Sequence, residues 1–100
     1  MPQLSVEVPH ALTPAQAKAR LKEKIDSARD SFGGQVNALQ EDWDEQGVSF
    51  SFQAVGMRVA GRVRVESRRV HVTADLPLAA IMFRGVIEDR VRQELANVLA

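Results

Sequence analysis

One hundred residues suffice for one hydrophobic core and not for two. Apolar residues make up 45% and charged residues 26%, and thirteen basic side chains offset thirteen acidic ones, so no net field gathers an anionic polymer. With no cysteine, disulfides, thiolate metal sites and cysteine nucleophiles are all excluded. The opening MPQLSVEVPHALT lacks the basic start and apolar stretch of a secretory signal. The longest uncharged apolar run, Leu76 to Phe83, falls well short of the ~20 residues of a membrane helix. The expectation is a single domain, cytoplasmic, with no transmembrane segment.

Leu4, Val6 and Val8 alternate with Ser5 and Glu7, the period of a half-buried strand, which Pro9 stops. Thr13-Pro14-Ala15-Gln16 reads as a helix start: Thr13 caps, Pro14 suits the first helical position, and Gln16 completes a capping box. Ala17, Leu21, Ile25, Ala28 and Phe32 follow as one apolar stripe, and Gly33-Gly34 ends the helix. Between residues 35 and 44 the alternation conflicts. Val36 and Ala38 set one phase, Leu39 and Trp43 the other; a strand is expected near Leu39 to Asp44, its start undetermined. After the turn at Gln46-Gly47, three clean alternating strands follow: Val48 to Ala54, Met57 to Val65 and Val70 to Leu76. The last quarter predicts a helix opening near Asp75 to Pro77 and running towards Ala100, with Ala80, Phe83, Ile87, Val91, Leu95 and Val98 as its core stripe.

The fold expectation is α+β in two layers: a mainly antiparallel sheet of four to five strands with two helices on one face, in the order β-α-β-β-β-β-α. The place of the first strand in the sheet is left open. The oily face of the strands would carry Phe50, Phe52, Val59, Val63, Val65, Val70 and Val72, and Trp43 reads as a core or sheet-edge anchor.

Several segments carry a resemblance: VPHALTPAQA at the start, the FGG after the first helix, the lone Trp43 before a hairpin, and the closing GRVRVESRRVHVTADLPLAAIMFRGVIEDRVRQELANVLA. In these the chain resembles the polyhydroxyalkanoic acid system family, small bacterial proteins associated with polyhydroxyalkanoate storage granules or encoded near the genes for them. The resemblance implies a role connected to the storage polyester. It implies no particular reaction, since the shared motifs are a helix cap, a turn glycine, a sheet aromatic and an amphipathic helix.

Polyester hydrolysis would need a nucleophile, a base and an oxyanion hole. No serine lies in a glycine-flanked elbow, and Ser51 with His71, oriented by Asp42 or Asp44, is the one pairing the strands suggest. A solvated strand surface accounts for those residues better. His10 and His71 have no metal-ligand spacing, so neither a metal nor a cofactor is expected. Arg58, Arg62 and Arg64 share one strand face beside Arg69 and His71. Without stacking aromatics there, nucleic acid is disfavoured against pairing with the acidic Glu41 to Glu45 region. The final helix also carries Leu78, Met82 and Val86 as a surplus apolar row away from its core stripe. The reading is a non-enzymatic accessory protein whose partner at that row is a granule, a granule protein or a second copy. A regulatory or scaffold domain using the same row is the alternative.

Overall fold

The protein is described by a computed structural model over residues 3–31, 36–54 and 56–100. Strand β1 (Gln3–Pro9) is followed by α1 (Pro14–Ser31), β2 (Val36–Asp44), β3 (Gly47–Ala54), β4 (Met57–Val65) and β5 (Arg69–Asp75). A 3-10 helix (Leu78–Phe83) then leads into α2 (Arg84–Leu99). The five strands form one antiparallel sheet in the order β1-β5-β4-β3-β2, so the expected α+β order of elements holds. The first strand inserts at the free edge of β5, the placement that periodicity left open.

Local chemistry sets each element. In β1, Leu4, Val6 and Val8 are buried while Ser5 and Glu7 are exposed. The capping box of α1 closes as the spacing predicts. The Gln16 N–H donates to Thr13 Oγ1 at 3.1 Å, and the Thr13 N–H donates back to Gln16 Oε1 at 3.1 Å. Ala17 and Leu21 are buried beneath α1, and Ile25 packs against the same core. Phe32, the Gly33-Gly34 helix end and Val55 lie outside the described residues.

The conflicting phases of residues 35 to 44 resolve into one strand with a bulge. Val36 is in register with Ala54, and Trp43 with Val48, but the register shifts between Asn37 and Gln40. At Ala38 the backbone takes φ 55°, a left-handed conformation rare for a residue with a Cβ. One extra residue shifts the pairing parity, so Val36 and Trp43, of opposite parity along the chain, are in register with Ala54 and Val48 on the same parity of β3. The hairpin from β2 to β3 turns on Asp44, whose Oδ1 accepts from the N–H groups of Gln46 (2.8 Å) and Gly47 (3.0 Å). Gly47 sits at φ 152°, and a Cβ there would stand 1.9 Å from the Val63 carbonyl oxygen.

The helices divide the oily face. Helix α2 lies against β1, and its Glu88 carboxylate accepts the Ser5 backbone N–H at 3.1 Å, covering a donor on the sheet's free edge. Helix α1 lies towards β2. The Lys18 ammonium stands 6.0 Å from the Trp43 ring centre, and Arg29 pairs with Glu41, which also accepts the indole N–H of Trp43 at 3.1 Å. Trp43 is thus a half-buried anchor on an edge strand, as expected. Lys24–Glu94 at 3.0 Å ties the helices together. Val48, Val63, Val65, Val70 and Val72 are buried, whereas Val59 and Phe52 are only half-buried.

The start of the last helix departs from expectation. Leu78–Phe83 is 3-10, not α, and none of its residues is buried. Pro77 caps it without a side-chain hydrogen bond, and Asp75 is instead bonded by Gln3 Nε2 at 3.2 Å. Phe83, assigned by spacing to the core stripe, is 59% exposed; Ile87, Val91, Leu95 and Val98 do reach the core, joined by Leu99. The cause is positional. β5 ends at Asp75, so Leu78–Phe83 makes the turn back from strand to helix layer, and Phe83 precedes the regular helix that reaches the core from Ile87 onward.

Candidate functional site: an apolar projection

Between Leu76 and Ile87 the only charged side chain is Arg84. Leu78 is 76% exposed, Met82 87% and Val86 70%, so all three members of the surplus row stand in water. The structure adds two that spacing missed, Phe83 at 59% and Ile81 at 45%. The missed signal was the absence of a cap: after Leu76-Pro77 no side chain holds the first turn, and periodicity assumes a regular helix that does not begin until Arg84. Five large apolar side chains this exposed on one short segment are comparable with the largest apolar patch of an ordinary monomer, roughly 300–600 Å². Removing this surface from water would drive association with an apolar partner.

The opposite face of the sheet is charged and largely self-neutralised. Arg62 donates to Ser49 Oγ at 2.8 Å and to both Asp44 oxygens at 2.9 and 3.2 Å. Hydrogen bonds from the Gln46 N–H and then from Arg62 hold the Asp44 carboxyl below its ordinary range. Arg69 pairs with Glu66 at 2.5 Å and Glu7 at 3.2 Å, and its hydrogen bond lowers Glu66 likewise. Arg58 and Arg64 flank Arg62 on β4 and are exposed. A shallow groove of about 540 Å³ runs between Arg58, Ala60, Ser51, Ser49, Gln40 and Asp42, and Phe50 also contributes to its lining. The arginines therefore share a face with Asp42 and Asp44, and the described aromatics of the sheet, Trp43, Phe50 and Phe52, are at core-side positions. A single-strand binder would need rings on the wet face.

The Ser51–His71 pairing does not form. His71 is aligned with Arg64 and through it with Gly47, four positions along β3 from Ser51, a separation of roughly 16 Å including two strand spacings. His71 Nε2 instead lies 2.9 Å from Ser5 Oγ and 4.0 Å from Glu7 Oε1. Serine and carboxylate approach the same ring nitrogen, so Glu7 does not orient the imidazole from its far side as a triad requires. Ser5 could not be foreseen because the neighbour of β1 was open. His10 is structural: its Nδ1 accepts the Leu12 N–H at 3.1 Å, leaving Nε2 to donate to the Glu66 carbonyl at 2.8 Å. Among the described residues no cluster of histidines and carboxylates could hold a metal ion, and no helix is long and apolar enough to cross a membrane.

Fold and surface together define a small two-layer α+β protein with an exposed apolar projection at one end of its sheet. The chain belongs to the family described as "Putative polyhydroxyalkanoic acid system protein" (PHA_gran_rgn), whose model matches residues 4–99. That family description is consistent with a role connected with polyhydroxyalkanoate. No curated relative and no solved structure matches the chain.

Proposed function

We propose that this is a non-enzymatic accessory protein of polyhydroxyalkanoate storage, which binds the granule surface or a granule protein in the cytoplasm. The observation that carries this reading is the exposure of Leu78, Ile81, Met82, Phe83 and Val86 on one uncapped segment. Five large apolar groups serve no folding purpose in water. Each contributes ~1.5–3 kcal/mol when fully buried, which leaves several kcal/mol for association after ordering costs. Family membership supplies the context in which such a surface would be used. Among the described residues Ser51 and His71 lie apart on the wet face, which favours binding over catalysis.

The test is fractionation. Tagged protein should sediment with isolated granules, and the double substitution Met82→Ser with Val86→Ser should move it to the supernatant while its circular dichroism stays unchanged. Sedimentation equal to the parent protein would remove the projection from the function. Unfolding of the double variant would place the row in the core and sink the proposal equally.

A further inference from the structure

We infer that the occupant of the projection is the polyester itself, and not a phospholipid coat, a granule protein or a second copy of this chain. The inference rests on the proposed granule-binding role and names its partner.

Shape is the first ground. In a 3-10 helix residues three apart eclipse, so the segment has three rows: Leu78 with Ile81, Ala79 with Met82, and Ala80 with Phe83. Every row ends in an exposed large apolar side chain. A rigid partner, or a two-fold copy, covers one side of such a segment and leaves the others wet. A deformable polymer phase encloses all three.

Charge is the second. Arg84 is the one cation from Leu76 to Ile87, and the arginines that follow are engaged, Arg90 with Glu94 and Arg92 with Asp89. A surface that reads anionic lipid carries a cluster of lysines and arginines beside its apolar groups, and here the neighbouring arginines of α2 are paired with carboxylates of the same helix. A protein partner is ordinarily recognised through a polar rim of some ten hydrogen bonds, and here the only polar side chain from Leu76 to Ile87 is Arg84. A chain of condensed hydroxyalkanoic acids presents alkyl groups and ester carbonyls, with neither charges nor donors. Apolar groups on every side, with one guanidinium offering donors to carbonyl oxygens, complement that chemistry.

The experiment compares the full chain on phospholipid-free nanospheres of a poly(3-hydroxyalkanoate), on vesicles of phosphatidylcholine with and without phosphatidylglycerol, and on native granules. Retention on bare polyester should exceed retention on either vesicle and be indifferent to salt. Leu78→Ser and Met82→Ser, made singly, should each weaken it by about tenfold or more. The free protein should sediment as a monomer. Stronger binding to vesicles overturns the inference in favour of lipid. A dimer in solution dissociated by Met82→Lys overturns it in favour of a second copy. Retention on native granules without retention on bare polyester overturns it while leaving the granule-binding role intact, and loss of both removes that role as well.

Discussion

Helix α1 and the segment from Leu78 to Val86 carry apolar side chains at the same helical spacing, yet one is sealed and the other stands in water. In α1 the capping box fixes the first turn, the stripe from Ala17 to Ile25 meets the oily face, and pairs to Glu41 and Glu94 hold the helix in place. The later segment has no side-chain cap, and after β5 ends its Leu78, Met82, Phe83 and Val86 stand in solvent. Periodicity reports which face of a helix is apolar. It does not report whether a layer lies opposite that face, and an apolar face without one is left exposed to water.

The contrast can be broken by mutation. Leu21→Ala should cost about 2–5 kcal/mol of stability, the range for deleting a buried leucine, whereas Met82→Ala should change it by no more than about 0.5 kcal/mol. Urea denaturation of both variants decides. A comparable loss at Met82 would mean that the projection is buried and the two regions do not differ.

A smaller effect sharpens the role of the cap. Thr13→Ala removes the acceptor of the Gln16 N–H and should destabilise the fold by about 1 kcal/mol. Binding to granules should be unaffected at temperatures where the variant remains folded. If Thr13→Ala abolished binding in a folded protein, α1 and not the projection would be the contact.

The smallest effect is electrostatic. Asp44, Glu66 and Glu94 are held below their ordinary values, chiefly by hydrogen bonds from the Gln46 N–H, Arg69 and Lys24 respectively. Their contribution is complete above the ordinary carboxylate pKa of about 4 and is lost as pH falls through the lowered native values. Stability should therefore decline on the acid side, and Asp44→Asn should flatten that decline. An acid melt identical in parent and Asp44→Asn would show that the Asp44–Arg62 contact contributes nothing.

Much of the architecture was legible in residue order. Alternation in β1, β3, β4 and β5, the Thr13–Gln16 box and the stripe of α1 are local patterns, and short-range sterics and hydrogen bonding enforce them wherever the segment ends up. Leu78, Met82 and Val86 were also visible as a surplus row. What needed the tertiary structure were matters of position. The bulge at Asn37–Gln40 depends on pairing with β3, and the place of β1 beside β5 brings Ser5, not Ser51, to His71. Phe83 moved from core to solvent for the same reason. Spacing along a chain determines which side chains share a face. Only the assembled sheet, by where its strands end, decides which of those faces are left uncovered.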